Sequence, residues 1–315
     1  MKRRKKRRSS ESPWTTVSLV LLVACITGLL ALWLIPEGGR RDGAPPPPSR
    51  EPAGAAPVAV PDRTGKAPAG GKGAGGKRVA IVIDDIGYDP DTLGRLLAIE
   101  APLAFSVLPH TPHARSCAEA IHRAGREVLL HLPMEPHGWP ERDPGRGALF
   151  VSMTASEIRR VLLEDLQDVP HARGVNNHMG SKFMEDREAL RVVFGVLQKR
   201  GLYFVDSRTT EASAARELAA EQSLRFAERD LFVDEAEGRS RAAMHLERLL
   251  DTRDAWSERL LIGHPYPETV SALEETIPRL AAAGIRLVSL SDLVDGRQAP
   301  RGEGPRREPK RNRKP

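Results

Sequence analysis

The chain has 315 residues, 40% hydrophobic and 29% charged, with a formal net charge of +6 and only two cysteines. That length allows one large or two ordinary domains, and Cys25, in an apolar run, with Cys117, in a predicted helix, excludes a disulfide framework. The positive charge does not mark a nucleic-acid-binding domain, because it sits at the ends: residues 2–8 are seven Lys or Arg and residues 297–315 carry eight against two Glu, so the stretch between is acidic.

Residues 14–35 are an almost unbroken apolar run without a charged side chain, long enough to cross a bilayer as a helix. Trp14 and Trp33 stand near its ends, where amphipathic rings favour the interface, and the basic residues 1–13 ahead of it predict a cytoplasmic N-terminus. The expected placement is therefore the bacterial cell envelope: an inner-membrane anchor with the globular part outside the cytoplasm. A cleaved signal peptide would have a shorter apolar region. Leu22-Val23-Ala24-Cys25 is similar to a lipoprotein cleavage box, but cleavage there would leave a greasy leader over residues 26–35. Residues 36–77, rich in Pro, Gly and Ala, read as a disordered linker, and residues 296–315 as a basic disordered tail. The globular part is left to residues 78–295, ample for a core without disulfides.

That part opens with apolar residues 79–83, suited to a strand buried on both faces, which stop on Asp84 and Asp85. Neighbouring strand residues point to opposite faces, so the two carboxylates can share a site only if the chain bends, as Gly87 permits. Two like charges so close call for a cation or a shared proton. Asp89-Pro90 then starts a helix over residues 90–99. A second strand is predicted at 102–108, a helix at 112–124 ended by Gly125, and a third strand at 127–132 running into His131, Pro133, Glu135 and Pro136. The prolines exclude a regular helix through His131 and Glu135. An irregular excursion over 136–153 contains Trp139, and Thr154 with Glu157 forms a capping box for a helix to 166. GVNNHMGSKF supplies a short strand ending on Asn176, Asn177 and His178, followed by a helix over 186–200. The remaining predictions are a strand at 202–205 ending on Asp206, a helix over 211–222, a strand at 231–233 ending on Asp234, a helix over 238–249, a strand at 259–263 ending on His264, a helix over 268–283 and a last strand at 285–290.

Strand and helix alternate seven or eight times, which predicts an α/β fold with a parallel sheet. Asp84, Asp85, His131, Asn177, His178, Asp206, Asp234 and His264 all fall at or just after strand C-termini. A barrel gathers those ends at one mouth and an open sheet spreads them along an edge, so a barrel is expected.

The segments IVIDDIGYD, LLHLPMEP, GVNNHMGSKF, GLYFVDSRTT and IGHPYPETV together resemble the divergent polysaccharide deacetylase family, over residues 79–294. The resemblance implies a distorted (β/α) barrel and metal-dependent removal of N-acetyl groups from an envelope polysaccharide or other carbohydrate polymer. It implies Asp84 as general base, Asp85 as metal ligand, His131 and Glu135 as the remaining ligands, and His264 as general acid. Here the sequence departs from the wider superfamily, with Glu135 at the second ligand position and Asn176, Asn177 and His178 where an Arg and Pro motif lines the site. Two carboxylates with one His would neutralise a divalent ion and leave its water less acidic, whereas Asp85, His131 and His178 would suit zinc. The third ligand is thus Glu135 or His178, with Asn177, His178 and Asp206 expected to bind substrate or orient a catalytic group. The rival expectation is a catalytically degenerate barrel that binds cell-wall glycan or an envelope protein.

Overall fold

Alternation of side chains along parallel strands decides what this molecule buries where. The computed structural model describes residues 76–234, 241–251 and 255–297, which all lie in one of the chain's two compact units, Gly70–Pro315. The predicted anchor at 14–35 and the tail from 298 lie outside the described residues, as does all but the end of the linker. Among the described residues no helix is long and apolar enough to cross a membrane.

The elements run β1 (Arg78–Ile86), α1 (Pro90–Ala98), β2 (Ala104–Val107), α2 (Ala114–Arg123), β3 (Glu127–Met134), α3 (Ala155–Asp168), β4 (Ala172–Met179) and α4 (Arg187–Lys199). They continue as β5 (Tyr203–Asp206), α5 (Ala215–Glu221), β6 (Phe226–Glu228), β7 (Leu231–Phe232), α6 (Ala242–Glu247), β8 (Glu258–Gly263), α7 (Pro267–Ala282), β9 (Arg286–Leu287) and α8 (Leu290–Gly296). Capping residues act as the sequence predicts: Asp89 accepts from the backbone N–H groups of Asp91 and Thr92, and Thr154 and Glu157 complete a capping box.

All paired strands are parallel, in the order β6-β5-β4-β3-β2-β1-β8-β7, with β9 against the start of β1. The terminal strands β6 and β7 are separated in sequence only by Arg229 and Asp230, so one extended stretch pairs first with β5 and then with β8. The sheet therefore curls until its two edges meet in one segment. The expected distorted barrel is found as a curled parallel sheet, bridged by that segment rather than closed by a ladder between β6 and β7.

On its inner face lie Ala80, Val82, Ala104, Leu129, Tyr203, Val205, Ala227, Leu260 and Ile262, small and large residues mixed as a narrow interior requires. Gly174 makes room for the Tyr203 ring; a Cβ there would stand 2.2 Å from it. Leu290, Leu293 and Val294 of α8 join this inner cluster, and the Ser291 N–H donates to Glu127 at the first residue of β3. Helix α8 thus seals the N-terminal end of the curl. The opposite parity, including Ile81, Ile83, Phe105, Leu130, Leu132 and Phe204, packs under the surrounding helices.

Three local expectations are corrected. The strand predicted to run to 290 stops at Leu287, because Ser289 caps α8 by accepting from the Asp292 N–H. Residues 211–214 are turn rather than helix, since Ser213 is drawn to the Asp206 carboxylate at 2.6 Å. Strand β6, which the sequence reading lacks, forms where Phe226 and Ala227 are buried at the sheet's edge. The excursion over 136–153 is fastened at both ends: Leu149 exchanges backbone hydrogen bonds with Pro133 and Glu135, and Gly147 lies so close to Asp165 that a Cβ would meet its carboxylate at 2.4 Å.

Candidate functional site

The inner parity that carries apolar residues through the lower sheet changes to polar at the C-terminal rim: Asp84, Ser106, His131, Asn176, His178, Ser207 and His264 follow in turn on the strands or just beyond them. Asp85 would face outward in a regular strand. It does not, because β1 bulges: Ile83 pairs with Phe105 but Ile86 with Val107, and Asp85 takes φ 57. The bend falls on Asp85 itself, with Gly87 following at φ 133, and swings both carboxylates to one side.

Asn176 fixes the centre. Its Nδ2 donates to both oxygens of Asp84, at 2.9 and 3.1 Å, and its Oδ1 accepts from Ser106 Oγ and from His131 Nδ1 at 3.0 Å. With Nδ1 donating, His131 turns Nε2 toward Asp85 Oδ1 at 3.2 Å and His178 Nδ1 at 3.1 Å, while His178 Nδ1 lies 3.1 Å from Asp85 Oδ1. Three potential donor atoms thus form a nearly equilateral triangle. Its edges match the roughly 3.3 Å separating neighbouring ligands around a tetrahedral zinc with bonds of about 2.0–2.1 Å. Asp85 Oδ1 is buried and makes no well-formed hydrogen bond, which fits an atom kept for a cation. The Asn176 contact to His131 is the kind of outer partner that fixes a ligand's tautomer. Asp85, His131 and His178 therefore fit a divalent ion.

Electrostatics separates the two adjacent carboxyls. Burial dominates at Asp84, 2% exposed, and raises its pKa. For Asp85 burial acts in the same sense, but the close approach and charge of His131 and His178 outweigh it and hold the carboxyl well below its usual range. His264 follows β8, its Nδ1 2.8 Å from Asp234 Oδ1 and its backbone N–H donating to Asp234 Oδ2 at 2.7 Å. Burial would lower its pKa, yet Asp234, with smaller contributions from Asp84 and Asp85, raises it to about 9. The free Nε2 then faces the triangle, 4.0 Å from Asp85 Oδ2. Thr269 also donates to Asp234, at 2.6 Å, so this buried carboxylate is held from three directions.

Other expected site residues lie elsewhere. Glu135 is not in the triangle: its oxygens accept from Lys182 Nζ at 2.7 Å and from the Val151 N–H at 2.8 Å, pinning the excursion. Asn177, on the outward parity of β4, binds Met179 O, Thr209 and the Ser207 N–H, tying the loops after β4 and β5 together. Asp206, outward on β5, accepts from the Arg208 N–H and Ser213 Oγ. The carboxylate against His264 is Asp234. Asn176, Ser106 and Ser207 were readable from parity, each lying two residues beyond an inward apolar residue or glycine on its strand.

A cleft of about 580 Å³ opens beside His264, lined among others by Pro136, Arg142, Met179, Arg208 and Phe232.

Comparison with known proteins agrees with this architecture. The family described as divergent polysaccharide deacetylase matches residues 81–294. Uncharacterized protein YibQ of Escherichia coli (strain K12) is 34% identical over 218 residues, 69% of this chain and 67% of that protein. An uncharacterized protein of Haemophilus influenzae is 30% identical over 222 residues, 69% of this chain and 76% of its own. The crystal structure of an uncharacterized protein from Agrobacterium tumefaciens C58 superposes with a TM-score of 0.64 at 24% identity, covering 70% of this chain and 90% of that one, a likeness of fold.

Proposed function

Because this chain belongs to the divergent polysaccharide deacetylase family, we propose that it is a metal-dependent hydrolase that removes N-acetyl groups from an envelope glycan. The family supports a carbohydrate deacetylase type of function. The single observation that carries the finer reading is the convergence of Asp85, His131 and His178 on one point, with Asp84 beside them and an Asp234-held His264 facing them.

A divalent ion held by those three residues, zinc by the chemistry of the donors, would supply Lewis acidity that polarises an amide carbonyl and makes water nucleophilic at neutral pH. Asp84, fixed through both oxygens by Asn176, takes the proton from the attacking water. His264 Nε2 gives its proton to the amide nitrogen as the C–N bond breaks, leaving acetate and a free amine. A proton donor must be charged at the working pH, and Asp234 supports that state. Incubating the full-length chain with N-acetylated glycan fragments should release acetate, stop with a chelator and resume with zinc. Absence of acetate from every acetylated glycan, with the ion bound, would favour the binding-barrel reading instead.

The same proposal places the domain outside the cytoplasm, on the support of the basic residues 2–8 ahead of the charge-free run at 14–35. Protease added to spheroplasts should cut within residues 36–77 and release the domain; a protected linker refutes this placement.

A further inference from the structure

The middle of the chain is acidic, yet three arginines from three different loops line the cleft beside His264, and the way each is held bears on what the cleft accepts. Arg142 makes no ion pair among the described residues, and Gly138 lets its stem lie flat, since a Cβ there would meet Arg142 Cδ at 2.9 Å. Arg208 takes a left-handed backbone, φ 51, which Asp206 enforces by accepting its N–H at 2.7 Å. Its side chain touches Glu211, 91% exposed, a surface pair of small worth that a ligand can displace. Arg229 donates to Ser207 O at 2.7 Å and Arg208 O at 3.2 Å, and its guanidinium lies 3.7 Å from the Phe232 ring centroid. Phe232 in turn stacks on His264, ring centroids 6.0 Å apart, so the basic wall is continuous with the catalytic rim. The one carboxylate among the described lining residues is Asp234, whose oxygens already serve His264 and Thr269.

We infer that this cleft selects an anionic glycan, one that carries a carboxylate or phosphate close to the N-acetyl sugar being processed. The inference rests on the deacetylase reading for the word glycan, and on the arginine wall for its charge. A neutral acetylated chain would give Arg142 no anion to meet and leave Arg208 with its exposed Glu211 alone, whereas an oxyanion can engage their planar guanidinium donors in pairs. Phe232 and Pro136 supply flat apolar surface beside those charges, suited to the less polar face of a sugar ring.

The test is equilibrium binding of the full-length chain, in detergent, to N-acetylated oligosaccharides of matched length: one neutral, one bearing carboxylates and one bearing phosphates. One or both acidic ligands should bind at least about fivefold tighter than the neutral one at low salt, with the advantage shrinking as ionic strength rises. Which acidic ligand leads identifies the oxyanion. The double variant Arg142→Gln, Arg208→Gln should remove that advantage, so that the acidic ligands bind no tighter than the neutral one. Equal affinity for all three ligands, no binding of any, or an acidic preference that survives the double variant would each overturn the inference. Arginine-dependent binding of an acidic ligand without acetate release would keep the inference while refuting catalysis. Release of acetate with no preference for charge would do the reverse.

Discussion

Asp85→Ala and His131→Ala should each leave a folded domain that has lost its divalent ion and, with it, at least about 10²-fold in acetate release, because each removes one of the three ligands proposed among the described residues. His178→Ala should do the same. Glu135→Ala should keep the ion, since Glu135 serves Lys182 and the Val151 N–H instead; it should lower stability by about 1–3 kcal/mol through the unpaired groups left under the excursion. Metal content of the purified variants measured alongside thermal unfolding separates the two kinds of loss. An ion retained by His178→Ala and lost by Glu135→Ala would restore the ligand set that the family resemblance implies and refute the one drawn from geometry.

The second large effect is expected at His264. As the proton donor it should cost about 10²- to 10⁴-fold in the chemical step when replaced by alanine, with the ion still bound. The partner makes a sharper test. Asp234 is the main support for the His264 charge, holding its pKa near 9, so activity that needs the protonated ring should fall as pH rises through that value. Asp234→Asn withdraws the negative charge and should move the falling limb to lower pH, toward the ordinary histidine value of about 6.5. Stability should follow the same pair. A histidine whose folded pKa is raised stabilises the fold fully below its unfolded pKa, and that contribution is lost as pH rises from about 6.5 through about 9. The parent should therefore lose thermal stability across that window more steeply than the Asp234→Asn variant. An unmoved alkaline limb in Asp234→Asn would remove His264 from the proton transfer.

The tests probe residues that differ in how far the linear chain exposed them. The strand-then-helix rhythm, the curled parallel sheet and the polar strand ends were legible because burial on both faces leaves a parallel strand almost wholly apolar until it emerges at the rim. Asp84, Asp85, His131 and His264 stand out on that ground alone. Parity along β4 and β5 also carried information: it turns Asn176, His178 and Ser207 inward, and Asn177 and Asp206 outward. Elsewhere the local signal misleads. Parity extended past β3 would put Glu135 inside with His131, but the strand stops at Met134 and the Glu135 N–H is taken by Leu149, from the far end of an excursion.

From its sequence alone this protein's class of fold and the rim on which its chemistry sits were determined, because hydrophobic periodicity is a local property that a regular strand transmits to its end. Which histidine completes the triangle, which aspartate holds His264, and how three arginines come to share one cleft were decided only by the tertiary structure. The histidine contacts join residues 30 to 93 positions apart, and the site and cleft depend on a bulge at Asp85 and left-handed turns such as Arg208, where the chain leaves the regular strand and periodicity no longer says which way a side chain points.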